Sequence, residues 1–118
     1  MWFHLELKGW GYSAARTGVA ISDTVTGPYQ YLKSYRPNQN YWPINYAVGE
    51  WFQNDKYLIR DFETGQMSRD MTVFVDDDDK AYHIHASEEN QTLHICELTD
   101  DYLGFTGKYT RVLPGASN

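Results

Sequence analysis

Gln66-Met-Ser-Arg-Asp-Met-Thr-Val-Phe-Val-Asp-Asp-Asp-Asp-Lys-Ala-Tyr-His-Ile-His85 is the stretch that decides the fold of this chain. Met71 to Val75 is rich in β-branched and aromatic residues, and Ala81 to Ala86 starts a second β-rich run. Asp76 to Lys80 separates them with five polar residues, so the stretch predicts a β-hairpin. The four aspartates lack the alternating ligands, central Gly and final Glu of a calcium loop and read as a solvated turn. Arg69-Asp70, an ionisable pair at the mouth of the first strand, is the first place to look for chemistry.

Downstream, the same rhythm continues. Ser87 to Gln91 predicts a turn, Thr92 to Leu98 a strand, Thr99 to Phe105 a polar connection and Thr106 to Leu113 a further strand, ended by Pro114-Gly115. Upstream, residues 2 to 7, Thr17 to Ser22 and Tyr29 to Tyr35 predict three strands, punctuated by Lys8-Gly-Trp-Gly, by Gly27-Pro28 and by Arg36-Pro37. Four short antiparallel strands in succession are the unit of a propeller blade. The expected fold is therefore all-β, a partial β-propeller of about two four-stranded antiparallel blades, the first incomplete. Residues 1–36 close one blade, 37–67 form a long aromatic loop and 68–118 make one complete blade. Within the loop Tyr57-Leu-Ile is expected to pair locally, and Leu98 to Leu103, capped by Thr99, is the one helical candidate. Incomplete closure leaves strand edges that favour association.

Composition narrows the function classes. The 118 residues suffice for one domain, and a net charge of -6 argues against nucleic acid, which requires a basic face. No stretch is long and apolar enough to span a membrane, and Met1-Trp-Phe-His-Leu-Glu-Leu does not resemble a signal peptide. The single cysteine, Cys96, sits between apolar residues and reads as a buried thiol, with no internal disulfide or Cys-based zinc site. Ten tyrosines and four tryptophans are many for so short a chain and suit clefts where one ring face is apolar and the edge is wet.

Several motifs, in order, resemble glycoside hydrolase family 43. They are Trp2-Phe-His-Leu-Glu6, Gly18-Val-Ala-Ile-Ser-Asp23, Thr26-Gly-Pro-Tyr29, Ser34-Tyr-Arg-Pro37, Ser68-Arg-Asp-Met-Thr-Val-Phe-Val-Asp-Asp-Asp78, Lys80-Ala-Tyr-His-Ile84, Ser87-Glu-Glu-Asn90 and Leu93-His-Ile95. The Ser-Arg-Asp-Met form is most similar to the exo-β-1,3-galactanase-like branch, and the chain looks like an internal part of such a protein. The resemblance implies a five-bladed propeller, a secreted or periplasmic location, a carbohydrate substrate, no cofactor and inverting hydrolysis of terminal sugars. Inversion needs an acid and a base roughly 6.5–9.5 Å apart. Asp70 matches the third carboxylate that raises the acid's pKa and orients it, with Arg69 balancing charge beside it. The family's general acid is a Glu after a Pro-Gly-x-x-Asn segment, and Pro114 to Asn118 stands where that Glu would follow. The chain alone is thus expected to be inactive. Where the family usually has Gly in the hairpin turn this chain has Asp79, which tolerates a left-handed backbone better than most residues.

The resemblance also points to His4, Glu6 and Tyr12 as sugar contacts. In the turn after Ala86, Asn90 is a further contact, and Glu88 either accepts a sugar hydroxyl or only forms the turn. Trp42 and Trp51 are either stacking platforms or plugs of the core edge. His83, His85 and His94 lie on neighbouring strands where a zinc site is conceivable, but the reading is of structural histidines and no metal. The alternative to an enzyme is a non-catalytic carbohydrate-binding or structural propeller module. Partners are then the sugar, and either the remaining blades or a second copy joined through open edges.

Overall fold

A computed structural model describes residues 1–46 and 56–112. Among these, seven strands and one short helix follow in order: β1 (Trp2–Leu5), β2 (Arg16–Ile21), β3 (Gln30–Tyr35), α1 (Lys56–Arg60), β4 (Met71–Val75), β5 (Ala81–Ser87), β6 (Thr92–Leu98) and β7 (Phe105–Val112). Every pairing is antiparallel, with β1-β2-β3 in one sheet and β4-β5-β6-β7 in the other. The fold is all-β, a partial propeller with a three-stranded and a four-stranded blade, as the strand pattern predicts. Strands β1 and β4, the first of each sheet, lie against each other.

The β4-β5 turn closes with Asp79 in the left-handed region at φ 67, and the amide of Asp76 donates to Lys80 O at 2.8 Å. The Asp76 and Asp78 carboxylates accept the amides of Asp77 and Lys80, so two of the four aspartates cap the turn they form.

Two sequence expectations are corrected. Tyr57-Leu58-Ile59 belongs to helix α1, not to a locally paired strand. A helical turn buries Leu58 against Cys96 and Tyr109 while leaving Ile59 and Arg60 in solvent. Leu98 to Leu103 is no helical turn: Leu98 ends β6, paired with Phe105, and Thr99 to Gly104 form the hairpin connection to β7. The Thr99 amide pairs with Gly104 O at 2.8 Å, and Tyr102 turns left-handed at φ 64, which a helix would not allow. Thr99 still caps this connection, its hydroxyl accepting the Gly104 amide at 3.1 Å. Trp51 and Phe52 in the long loop, and Pro114 to Asn118 at the end, lie outside the described residues.

Alternation sorts the second sheet into two unlike faces. One buries Ala81, His83, His85 and Ser87 on β5, Thr92, His94, Cys96 and Leu98 on β6, and Tyr109 and Arg111 on β7. Register sets His85 opposite His94 and His94 opposite Arg111. The first sheet covers part of this face: the Thr17 hydroxyl lies 3.4 Å from His83 Nε2 and 3.6 Å from Met71 Sδ, and the Trp2 ring meets His83 edge-on with centroids 5.1 Å apart. The connecting segment covers the rest, through Leu58 and through Asn38 Nδ2, which donates to Cys96 Sγ at 3.3 Å. The opposite face carries Phe74, Tyr82, Ile84, Leu93 and Ile95, all half-buried or exposed.

Burial pushes the imidazoles toward neutrality. His83 falls to about 4, and His85, beside His94 and His83, falls well below its ordinary value. Burial also lowers His94, against the opposing pull of Glu88. Burial raises the Cys96 thiol to about 12, so it is no nucleophile. The folded histidines titrate below the roughly 6.5 of the unfolded chain, so their contribution to stability is complete above about pH 6.5 and lost as pH falls.

Thermal melting should therefore show Tm falling from about pH 6.5 downward, with a shallower slope in His83→Gln; a flat Tm to about pH 4.5 would contradict the buried neutral imidazoles. Asp79→Gly should raise stability by roughly 1 kcal/mol or less, read from the urea midpoint, because glycine adopts positive φ without steric penalty.

Candidate functional site

The segment from Gln66 to Asp70 crosses both sheets before entering β4. Gln66 N–H donates to Pro37 O and Ser68 N–H to Ala15 O, each at 2.8 Å. At Ala86 the pairing becomes two against one: Arg69 N–H donates to Ala86 O, and Ala86 N–H donates to Asp70 O, both at 3.0 Å. Such a bulge re-aims side chains. Regular alternation would send neighbouring residues to opposite faces. Here both Arg69 and Asp70 reach one cleft, of about 400 Å³, lined also by His4, Tyr12 and Asn90.

Each lining group is placed by a different piece of chain. His4 comes from β1, and its Nε2 lies 2.6 Å from Glu6 Oε2. Tyr12 sits in the loop after β1, its ring stacked near His4 with centroids 6.2 Å apart and largely exposed at 73%. Arg69 fixes that loop, donating from Nη2 to Tyr12 O at 2.9 Å. Asp70 is exposed, and its carboxylate has no partner among the described residues. Asn90 enters from the β5-β6 turn, where Glu88, Glu89 and Asn90 all have positive φ, at 53, 58 and 66. Non-glycine residues held there cost of order 1 kcal/mol or more each, so surrounding contacts must hold them.

Two predicted contacts stand elsewhere. Glu6 does not line the cleft, because its oxygens are taken by His4 and by the Ala15 amide at 3.0 and 3.1 Å. Burial pushes its carboxyl up, but the Ala15 amide and His4 outweigh this and leave it lowered. Trp42 stacks with Tyr46, at 5.0 Å, and with Phe62, at 4.1 Å, and does not line the cleft. The ring is 42% exposed and packs on its neighbours in the connecting segment.

Sequence reasoning missed the support beneath Asn90. Glu88 is buried, accepts from His94 Nε2 at 2.7 Å and from Arg111 Nε at 2.9 Å, and pairs again with Arg111 Nη2. Burial raises its carboxyl, and His94 and Arg111 more than reverse that. Glu88 therefore forms the turn and does not face the cleft. The signal was parity: Arg111 falls on the same alternation as the buried Tyr109. Among the described residues no group of three or more His, Cys, Asp or Glu is placed to hold a metal ion. Nor is any helix among the described residues long and apolar enough to cross a membrane.

A larger groove of about 730 Å³ runs between β3 and the β6-β7 connection, lined among others by Lys33, Tyr35, Tyr41 and Asp101. Its charged groups are engaged, Lys33 over the Tyr35 ring and Asp101 with Thr99. The smaller cleft instead presents a free carboxylate beside an imidazole, a guanidinium, a phenol and a carboxamide. That mixture suits a neutral polyhydroxylated ligand: donors and acceptors for hydroxyls, and an aromatic face for C–H surfaces.

Solved structures carry the same fold. A GH43 β-1,3-galactosidase with galactodeoxynojirimycin matches 98% of this chain at 47% identity and TM-score 0.92. The chain belongs to glycoside hydrolase family 43. An exo-β-1,3-galactanase from Clostridium thermocellum matches at 36% identity and TM-score 0.73, and one from Phanerochaete chrysosporium, solved with β-1,3-galactotriose, at 31% and 0.67, each over 98% of the chain. The chain spans 39%, 22% and 21% of those three proteins. No family model matches the chain, and no curated protein sequence does.

Glu6→Ala should release His4 and leave the Ala15 amide without its acceptor, lowering unfolding stability by about 1–2 kcal/mol in urea melts. Trp42→Ala should destabilise the fold without weakening sugar binding, since the ring lies outside the cleft; equal loss of binding by Trp42→Ala and Arg69→Ala would reverse that assignment.

Proposed function

We propose that this chain is part of a glycoside hydrolase that removes terminal galactose from β-1,3-galactan, and that the Asp70 cleft binds the sugar at the scissile end. The observation that carries the reading is the convergence of His4, Tyr12, Arg69, Asp70 and Asn90, from separate segments, on one cleft in a family 43 fold. Arg69 and Asn90 would hold sugar hydroxyls, and Tyr12 with His4 would face the ring. Asp70 would act as the third carboxylate, its negative charge disfavouring ionisation of a neighbouring acid and its oxygens orienting that acid. Inverting hydrolysis uses two further functional groups, on opposite faces of the sugar. Among the described residues Asp70 is the one carboxylate that lines the cleft, so this chain binds and positions more than it cleaves.

The alternative, a carbohydrate-binding module without catalysis, draws support from that same single carboxylate. Both readings give a cleft for neutral sugars. The remaining apolar face of the second sheet, with Phe74, Tyr82, Ile84, Leu93 and Ile95, suits the packing of a further sheet, as in a closed propeller. A polymeric substrate places the protein outside the cytoplasm, in a secreted or periplasmic setting.

Calorimetric titration of the 118-residue chain with β-1,3-galactobiose should show binding that Arg69→Ala weakens by about ten-fold or more, since a charged hydrogen-bond donor is lost. Asp70→Asn should weaken it less, by exchanging an acceptor for a donor at one oxygen. Galactose release should be undetectable. Release that disappears in Asp70→Asn would mean that the chain is a complete catalyst, and absence of binding would remove the cleft from consideration.

A further inference from the structure

The β5-β6 turn is held in a costly shape from within. Glu88, Glu89 and Asn90 are three successive left-handed residues, none of them glycine. The buried Glu88 carboxylate is clamped by Arg111 and by His94, itself buried beside His85 and Tyr109. Arg111 is in turn tied to the connecting segment through its backbone, with Asn45 Nδ2 donating to Arg111 O at 3.0 Å and Arg111 N–H donating to Asn45 Oδ1 at 3.1 Å. On the outer side of the turn Glu89 lies 3.6 Å from Arg60 Nη2 and 4.0 Å from Arg69 Nη2. Two cleft residues, Asn90 and Arg69, thus depend on one turn.

We propose that Glu88 is a positioning residue for the sugar site: clamped by Arg111 and His94, it holds the 88–90 turn in the left-handed form that carries Asn90 into the cleft and Glu89 against Arg69. This rests on the reading of the cleft as a sugar site. Glu88 touches no ligand itself; its carboxylate faces the interior of the second sheet. A turn free of this clamp would relax toward negative φ, swing the Asn90 carboxamide away and leave Arg69 without its outer carboxylate.

The test is a double-mutant cycle with a structural readout. Glu88→Gln keeps the shape but removes the carboxylate charge that faces Arg111, so it is paired with Glu88→Leu/Arg111→Met, which removes both charges together. In each folded variant the backbone and side-chain amide signals of Asn90 are followed by NMR, and β-1,3-galactobiose binding is measured by calorimetry. Loss of the left-handed Asn90 backbone signature is expected, with affinity weakened about ten-fold; on an Asn90→Ala background the same changes should weaken binding by about two-fold or less, because the sites are coupled. A purely structural defect would cost as much on either background, and that additivity would overturn the proposal. So would Glu88→Leu/Arg111→Met folding with Asn90 left-handed and affinity unchanged. Should the unmodified chain fail to bind galactobiose, the sugar-site reading falls, and the Asn90 signals alone decide whether Glu88 holds the turn.

Discussion

The structure depends on a buried layer of polar side chains, neutral imidazoles and one ion-paired guanidinium, on the inner face of its second sheet. Most small β-folds fill such a layer with Val, Ile and Leu, but here His83, His85, His94 and Arg111 occupy the buried parity of β5, β6 and β7. Imidazoles in that position are tolerable when they stay uncharged and find partners, as His83 does with Thr17 and with His85 at 3.0 Å between their Nδ1 atoms. One of two facing Nδ1 atoms must then carry the proton, which ties the tautomer of one ring to that of the next. The arrangement gives the sheets a defined register, because sliding one residue would exchange this polar row for Tyr82, Ile84 and Ile95.

The same layer links fold to site. His94 and Arg111 end the row at Glu88, and Glu88 begins the turn that brings Asn90 to the cleft. At the other end, Met71 of β4 meets Thr17, and one residue earlier the bulge at Ala86 re-aims the Asp70 side chain toward the cleft. Both ends of β5 face chemistry of different kinds: a solvated aspartate turn at Ala81, and an ion-paired, left-handed turn after Ser87. The cleft is formed at the second of these, where the buried Glu88 anchors the turn that carries Asn90.

Much of this was legible in the chain itself. Alternation and turn residues place every strand to within a residue or two, and the position of Asp70 before β4 follows from the hairpin that defines it. The one short helix was not legible, because Lys56 to Arg60 spans little more than one turn and periodicity needs a longer run to separate helix from strand. The candidate contact residues are placed unevenly. His4, Tyr12, Arg69, Asp70 and Asn90 meet in one cleft, whereas Glu6 is turned to the Ala15 amide and Trp42 into a stack with Phe62. A linear pattern reports which residue types stand near a strand end, but not which of two neighbouring acceptors an amide will choose.

Which face of β5 is inside was the least legible feature, and the reason bears on how the chain works. Judged by hydrophobicity, Tyr82 and Ile84 belong in the core and His83 and His85 outside, yet the buried row is the histidine row. The apolar row is not misplaced. In a propeller both faces of a blade are covered, one by the preceding blade and one by the next, so a blade has two interiors and hydrophobicity alone cannot rank them. Here the preceding sheet matches the polar row, because its Thr17 offers His83 a hydroxyl, while the second sheet's own β5-β6 turn supplies the Glu88 carboxylate to His94. The apolar row needs no such matching and can pack against any complementary apolar sheet. Register therefore matters most at the interface between the two sheets, where a shift of one residue would displace Asp70, Arg69 and Asn90 together.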